Sequence, residues 1–210
     1  MTNADLSFIH RFEPASEAGR PPLLLLHGTG GDEDDLLPLG RMIAPGSALL
    51  SPRGKVLEGG MPRFFRRLVE GVFDEADVRR RANELADFIT QAGEAYGLVA
   101  PVAVGFSNGA NIAAAVLALR PEALAGAVLL RAMVPLSDAT AGDLSGKGVL
   151  LLSGAADPIV PAENAGRLAA ILKDAGASVE HRVLPVGHGL SQADVTLAKA
   201  WFNSHSAKGI

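Results

Sequence analysis

The sequence predicts an α/β fold in which a mainly parallel sheet is covered by helices on both faces. Apolar, strand-like runs alternate with helical patterns from Pro22 to the C-terminus, the order that is typical of parallel sheets. The most continuous runs, Leu23–Leu26 and Val149–Leu152, lack polar–apolar alternation, which indicates burial on both faces. Because the 210 residues contain no repeat or linker, we expect residues 1–210 to form one domain.

Six apolar runs are predicted to be the strands of this sheet. They are Pro22–Leu26, Ala48–Ser51, Pro101–Phe106, Leu124–Leu130, Gly148–Ser153 and Ser178–Leu184. Polar and apolar residues alternate over Leu6–Phe12, a pattern that favours an additional strand at the edge of the sheet.

Helices between these strands are predicted from apolar spacing and from residues that begin or end helices. One helix has an apolar face of residues three or four positions apart: Val78, Ala82, Leu85, Ile89, Ala92 and Tyr96. Residues 111–119 are apolar on nearly every face, which predicts a central, buried helix. Pro161 and Gly176 are expected to bound the next helix. Ser191 with Asp194 resembles a capping arrangement before the last.

The stretch from Gly54 to Phe73 departs from this alternation. It separates the second predicted strand from its helix, at the edge of the sheet where α/β proteins carry their sites. The stretch is too short to form a cap domain, so we expect an open pocket. Exposed apolar residues in this stretch would allow self-association, and we expect a monomer or a homodimer.

The composition excludes several classes of protein. A net charge of −4 argues against nucleic acid or an anionic membrane as the main partner. The longest apolar runs, such as Ile112–Leu119, are far shorter than the ~20 residues that cross a bilayer, and residues 1–20 show no secretory signal. The chain has no cysteine and no H-x-x-x-H pair, so we expect a cytoplasmic protein without disulfides or a metal site.

One serine lies in the setting of a catalytic nucleophile. Gly105-Phe106-Ser107-Asn108-Gly109 follows an apolar strand and precedes the buried helix, which is the context of a nucleophile elbow. On such a turn the hydroxyl projects from the sheet, and the glycines allow the strand and the helix to approach closely. An ordinary tight turn is the simpler interpretation, but the context favours Ser107 as a nucleophile.

A serine nucleophile needs a general base, and that base needs an orienting carboxylate. Asp157 and His188 each follow a predicted strand, in the chain order Ser–Asp–His of this template. Pro158 restricts Asp157 to an extended backbone, which would hold its carboxylate in place. Asp138 and Glu163 are alternative carboxylates, but the position of Asp157 at a strand end favours Asp157.

Acyl transfer also needs N–H donors that stabilise a negatively charged oxygen. In this template one donor is the backbone N–H after the nucleophile, here Asn108, and the other lies in a glycine-rich loop after an early strand. We predict Thr29, in the loop of residues 27–31, as the second donor, and we expect His27 to brace this loop. Phosphate binding is the weaker interpretation, since the loop precedes the acidic run Asp32–Asp35.

Other residues near the expected site have less specific patterns. Four arginines fall in these segments: Arg53, Arg66, Arg67 and Arg131. They could bind an anionic substrate group, but solvation or pairing with Asp32–Asp35 is the simpler interpretation. Three apolar residues are candidates to bind the acyl group of a substrate, with local core packing as the alternative: Phe64, Phe65 and Met133.

Five segments together resemble the phospholipase/carboxylesterase family of α/β-hydrolases, which includes acyl-protein thioesterases and small bacterial esterases. They are Leu26–Glu33, Ser51–Gly54, Gly105–Ala110, Gly154–Pro161 and Gly187–Gly189. The resemblance implies an α/β-hydrolase fold without a large cap, a Ser–Asp–His triad, no cofactor, and hydrolysis of carboxylic or thio esters. Thioesterases usually have Leu and Gln where Thr29 and Asn108 stand, so the chain looks closer to the bacterial carboxylesterases.

We therefore expect a serine carboxylesterase that acts on small, short-chain esters. One alternative is a lysophospholipase or acyl thioesterase for longer chains, which a deep apolar groove would favour. The other is a ligand-binding protein or sensor that keeps the fold without catalysis, against which a complete triad argues. The acyl length, the alcohol group and the role of the Gly54–Phe73 stretch do not follow from the sequence.

Overall fold

The computed structural model describes residues 6–137 and 141–206. In chain order its helices and strands are β1 (His10–Glu13), β2 (Leu23–Leu26), α1 (Leu37–Ile43), β3 (Leu49–Pro52), β4 (Val56–Glu58), β5 (Met61–Arg63), β6 (Arg67–Val69), β7 (Val72–Phe73), α2 (Glu75–Tyr96), β8 (Val102–Phe106), α3 (Asn108–Leu119), β9 (Gly126–Leu130), β10 (Gly148–Gly154), α4 (Ala162–Asp174), β11 (Ser178–Leu184) and α5 (Gln192–Ser206).

The central sheet has seven strands in the order β1-β3-β2-β8-β9-β10-β11. Every neighbouring pair is parallel except β1 and β3, which are antiparallel. The prediction of a mainly parallel sheet is therefore confirmed. The edge strand lies at His10–Glu13 rather than at Leu6–Phe12, so the alternating pattern located the strand but set it too early.

Helices cover both faces of this sheet, so a hydrophobic cluster lies on each face. Strand β2 contributes side chains to both clusters. Side chains of a strand alternate between faces, so Leu24 and Leu26 pack with α2, α3 and α4 in one cluster. Leu23 and Leu25 pack with α1 and α5 in the other cluster. Because both faces are covered, all four leucines are fully buried, which is the reason for the unbroken apolar run.

The central helix α3 is buried along most of its length, as its apolar sequence predicts. Its residues from Asn108 to Leu117 are all buried. They pack between the sheet and α2. Because α3 is buried and begins directly after β8, its first turn is held firmly. Ser107 lies on the turn between β8 and α3.

The short elements of the chain did not follow from the sequence. Helix α1 has only seven residues, with Pro38 and Gly40 among them, so intrinsic propensity gives no signal for it. The Gly54–Phe73 stretch forms two small antiparallel hairpins, β4–β5 and β6–β7, and no large cap.

Within the described ranges, no helix combines the length and apolar character needed to cross a membrane.

Candidate active site

Ser107 lies on the sharp turn between β8 and α3. Its backbone has a φ of 52°, a left-handed conformation that is uncommon for residues other than glycine. The turn needs small neighbours, since a Cβ on Gly109 would overlap the carbonyl group of Leu26 and one on Gly105 would lie 2.7 Å from the backbone of Ala110. This crowding is why strand and helix can meet so closely only through these two glycines.

The structure brings Ser107, His188 and Asp157 into one hydrogen-bonded chain. The His188 Nε2 atom lies 3.0 Å from Ser107 Oγ, and the Nδ1 atom lies 2.8 Å from Asp157 Oδ2. The histidine follows β11 and the aspartate follows β10, so both loops leave the same edge of the sheet. These are the distances at which a histidine can take the serine proton while a carboxylate orients its ring.

The environment of Asp157 keeps its carboxyl group ionised. Its side chain is fully buried, and burial by itself acts to raise the pKa. The backbone N–H groups of Val160 and Ile159 donate to Oδ1 at 3.0 and 2.8 Å, and with His188 they hold the pKa of Asp157 below its ordinary value. A charged carboxylate can then stabilise an imidazolium during a reaction.

The alternative carboxylates do not take this place in the described residues. Glu163 is an exposed residue of α4, and the carboxylate that accepts from His188 belongs to Asp157. Asp138 lies outside the described residues.

A fully buried arginine holds the loop that carries His188. Arg131 directly follows β9, and its five guanidinium N–H groups all donate. Two of them reach the carbonyl oxygens of Gly187 and Gly189, at 3.0 and 3.1 Å, on either side of the histidine. Two more form a bidentate pair with Asp194 at 2.8 Å each. Arg131 thus fixes the backbone on both sides of His188.

Asp194 balances this buried charge. Burial acts to raise the pKa of Asp194, but hydrogen bonds from Arg131 and from Ser191 outweigh it and hold the pKa below its ordinary value. The Ser191 hydroxyl and backbone N–H donate at 2.7 and 2.8 Å, so the capping arrangement also completes this pair. The sequence interpretation of Arg131 as a solvated residue or a partner of Asp32–Asp35 was wrong, because its partner is 63 residues away in the chain.

Thr29 and Asn108 both line the cavity beside Ser107. Asn108 is the first residue of α3, where a backbone N–H has no acceptor within the helix and where the helix dipole favours negative charge. Thr29 lies in the loop after β2. Both residues therefore stay candidates for the oxyanion site beside Ser107.

The β4–β5 hairpin holds these two residues in place. Pro62 accepts a hydrogen bond from Gly30 N at 3.0 Å, and Arg63 Nη1 donates to Thr29 Oγ1 at 2.5 Å. The next residue, Phe64, donates its backbone N–H to Asn108 Oδ1 at 2.7 Å. One hairpin therefore fixes both sides of the candidate oxyanion site, a role that no local sequence pattern indicates.

His27 braces the same loop, as expected. Its Nε2 accepts from Gly54 N at 3.0 Å and its Nδ1 lies 2.6 Å from Gly28 O. Burial lowers the pKa of His27 from its ordinary value, which favours the neutral ring that can accept the Gly54 hydrogen bond.

The cavity at Ser107 has a volume of about 260 Å³. Met133 is among its lining residues, with Phe106, Phe73 and Val160. Phe64 and Phe65 are not among them. Their side chains are 2% and 0% exposed and pack in the larger core cluster, so the structure supports the core-packing alternative for both.

The arginines of this region have different surroundings. Arg53 pairs with Glu33 of the acidic run, as the simpler interpretation predicted. Arg66 is exposed and pairs with Asp74 at 2.7 Å. Arg67 lines the cavity and donates to Glu58 at 2.8 Å, and the structure adds Arg63, which the sequence did not single out. The described residues contain no cluster of three or more His, Asp or Glu side chains that could hold a metal ion.

Comparison with known proteins agrees with the fold. The model of the phospholipase/carboxylesterase family matches residues 10–206. MhqD of Bacillus subtilis (strain 168) is 48% identical over 184 residues, which cover 86% of this chain and 91% of MhqD. Two solved structures also match closely. A Bacillus cereus carboxylesterase has a TM-score of 0.92 at 43% identity over 97% of this chain and 96% of its own. YahD, solved with malic acid, has a TM-score of 0.89 at 31% identity, and the match covers 94% of this chain and 99% of YahD.

Proposed function

Because the chain belongs to the phospholipase/carboxylesterase family, we propose that it is a serine carboxylesterase acting on small, short-chain carboxylic esters. The observation that carries this proposal is the hydrogen-bonded chain from Asp157 through His188 to Ser107. That chain ends at a cavity that Thr29 and Asn108 also line. A hydroxyl, a base, an orienting carboxylate and two N–H donors are the groups that acyl transfer requires.

In the first half of the reaction, Ser107 Oγ attacks the ester carbonyl carbon while His188 Nε2 takes the serine proton. The carbonyl oxygen becomes negatively charged and accepts hydrogen bonds from the N–H groups of Thr29 and Asn108, which lower the energy of this intermediate. Asp157 holds the ring of His188 and stabilises the imidazolium. The intermediate then collapses, and His188 returns the proton to the departing alcohol oxygen.

In the second half, water cleaves the acyl-enzyme by the same route. His188 takes a proton from the water as its oxygen attacks the acyl carbon, and the same two N–H groups stabilise the negatively charged oxygen. Collapse of this second intermediate releases the carboxylic acid, and the proton on His188 restores the Ser107 hydroxyl. The net reaction consumes one ester and one water and yields one acid and one alcohol.

The preference for small substrates rests on the cavity. Its volume of about 260 Å³ is small, and two charged residues, Arg63 and Arg67, are among those that line it. Such a cavity does not suit a long hydrocarbon chain. One relative, YahD, was solved with malic acid, which is a small, polar molecule. A lysophospholipase or acyl thioesterase for longer chains is the alternative that an assay must distinguish.

Hydrolysis of 4-nitrophenyl esters from acetate to palmitate tests the proposal. We expect the highest kcat/KM with short acyl chains and a loss of about 10⁴-fold or more in Ser107→Ala. Ser153→Ala is a matched control, because Ser153 also lies 2.9 Å from a histidine, His181, yet does not line the cavity. We expect this control to retain activity.

Other outcomes of the same assay would redirect the proposal. Maximal activity with long chains would favour the lysophospholipase or thioesterase alternative. Equal activity in wild type and Ser107→Ala would exclude Ser107 as the nucleophile. Absence of turnover of every ester by wild type would favour a ligand-binding protein on the same fold. A single-domain organisation, a cytoplasmic location and a monomeric or homodimeric state stay predictions.

A further inference from the structure

A nearly buried arginine borders the cavity beside Ser107. Arg63 ends β5 and is only 3% exposed, yet it is among the residues that line the cavity. An arginine keeps its positive charge in proteins even when it is buried. A buried charge is costly unless hydrogen bonds and an opposite charge compensate it, so the partners of this guanidinium indicate what it is for.

The described residues use only part of the hydrogen-bonding capacity of Arg63. Its Nε donates to Phe65 O at 3.2 Å and its Nη1 donates to Thr29 Oγ1 at 2.5 Å. Its Cζ atom lies over the Phe65 ring, 5.8 Å from the ring centre, a cation–π distance. The remaining nitrogen, Nη2, donates no hydrogen bond to any residue in the described ranges. The backbone and ring of Phe65 therefore cover one side of the Arg63 guanidinium group, and the N–H groups of Nη2 have no acceptor among the described residues.

The negative charge near Arg63 is shared with a second arginine. Glu58 Oε2 lies 3.2 Å from Arg63 Nε, and Glu58 Oε1 accepts from Arg67 Nε at 2.8 Å. Arg67 lines the same cavity. Glu70, which also lines the cavity, has a carboxylate oxygen 3.8 Å from Arg67 Nη1 and is 64% exposed, so solvent weakens this second pairing. Of the three described arginines that line the cavity, Arg131 is paired with Asp194. Among the described residues, Arg63 and Arg67 have one close carboxylate, Glu58, between them.

We propose that the substrate carries a carboxylate group that binds to Arg63, with Arg67 beside it. Guanidinium and carboxylate groups form strong, often bidentate hydrogen bonds, and a carboxylate in the cavity would accept the donors that Nη2 has left. This assignment rests on the proposed esterase function and deepens it. The substrate class is a half-ester of a short dicarboxylic acid, or a short ester whose alcohol part bears a carboxylate.

A purely structural role for Arg63 makes a different prediction. If Arg63 serves only to fix Thr29, its removal disturbs the oxyanion site in the same way for every ester. If it binds a substrate carboxylate, its removal changes charged esters far more than neutral ones. The ratio of kcat/KM for a charged ester and its neutral counterpart separates these cases, because a common defect cancels in the ratio.

Two pairs of esters, followed by the acid that each releases, test the proposal. In the first pair, monomethyl glutarate carries a carboxylate on its acyl part and methyl valerate is its neutral counterpart. In the second pair, acetoxyacetate carries a carboxylate on its alcohol part and propyl acetate is its neutral counterpart. We expect wild type to prefer the charged ester of at least one pair by about ten- to hundredfold, the effect of one charged hydrogen bond. In Arg63→Gln this preference should be lost, mainly through KM.

Arg66→Gln is the matched control, since Arg66 is a neighbouring, exposed arginine that does not line the cavity, and we expect it to keep the wild-type ratio. No preference in either pair, or an equal loss for both members of a pair in Arg63→Gln, would overturn the proposal. In both cases neutral esters are still hydrolysed, so the esterase function stands.

A binding experiment covers the case in which the esterase function itself fails. Calorimetric titration of glutarate into Ser107→Ala does not depend on turnover. We expect binding that weakens about tenfold or more in the Ser107→Ala/Arg63→Gln double variant. Absence of binding, or equal binding by both variants, would contradict the carboxylate site.

Discussion

Two buried arginines of this protein, Arg131 and Arg63, have opposite hydrogen-bond balances. Arg131 is completely buried, all five of its N–H groups donate, and Asp194 neutralises it in a bidentate pair. Arg63 is nearly as buried, at 3% exposure, but its Nη2 has no acceptor in the described residues and its nearest carboxylate, Glu58, is shared with Arg67.

The difference separates a structural charge from one that is suited to recognition. A buried charge whose donors are all matched holds fixed groups together, and at Arg131 those groups carry the loop of His188. A charge that is left partly unmatched at a cavity keeps donors for a ligand, at some cost in stability. Burial alone would have assigned the same role to both residues.

The largest effect on stability is expected at Arg131. Removing one partner of a buried ion pair leaves the other charge uncompensated, so Arg131→Met should lower the free energy of unfolding by about 3–5 kcal/mol. Urea denaturation measures this loss, and Arg66→Met serves as the exposed control, with a change of about 1 kcal/mol or less. If Arg131→Met is too unstable to purify, the double variant Arg131→Met/Asp194→Leu should recover stability, because it leaves no unpaired charge.

A pH series on wild type tests whether Asp194 contributes as this pairing requires. The pKa of Asp194 is lower in the folded protein than in an unfolded chain, so its contribution is present above the unfolded value of about 3.9 and is lost as the pH falls below it. We expect the free energy of unfolding to fall in this acid range, with a shallower fall in Asp194→Asn. Asp174→Asn, at an exposed site in α4, should keep the wild-type slope, and equal slopes in all three proteins would refute the pairing.

A smaller effect on stability is expected at Arg63. Arg63→Gln removes hydrogen bonds to Thr29 and to Phe65 but leaves no buried carboxylate without a partner, because Glu58 keeps Arg67. We expect a loss of about 1–2 kcal/mol in the free energy of unfolding, measured in the same urea experiment. A loss as large as that of Arg131→Met would remove the distinction between the two arginines.

The smallest effect concerns Glu58, the carboxylate that competes with a charged substrate for Arg63. Glu58→Gln should raise the preference for monomethyl glutarate over methyl valerate by up to about fivefold, since an ion pair with a partly exposed carboxylate is worth about 1 kcal/mol or less. The kcat/KM ratio of the two esters measures the change. A lower ratio would mean that Glu58 chiefly holds Arg63 in its binding position.

The sheet could be predicted because its evidence is local. The unbroken apolar run of β2 and the apolar sequence of α3 reflect burial on both faces, which each segment records in its own composition. The proximity of Ser107, Asp157 and His188 could also be anticipated, because each follows a strand and parallel strands end at one edge of a sheet.

The surroundings of Arg131 and Arg63 could not be predicted, because they depend on distant partners. Arg131 meets Asp194, 63 residues further on, and Arg63 meets Thr29, 34 residues earlier. Arg63 also lies in a strand of three residues, too short for a periodic signal. Phe64 and Phe65 looked like pocket residues because the sequence did not indicate that the segment between β5 and β6 turns them toward the core.

Direct detection of an acyl-enzyme is the most direct test of the proposed chemistry. Wild type is mixed with 4-nitrophenyl acetate and quenched in acid during the first turnover, and the intact mass and the labelled peptide are determined. We predict one acetyl group per chain, on Ser107, and none in Ser107→Ala. An acetyl group on another residue, or equal labelling of Ser107→Ala, would contradict nucleophilic catalysis by Ser107.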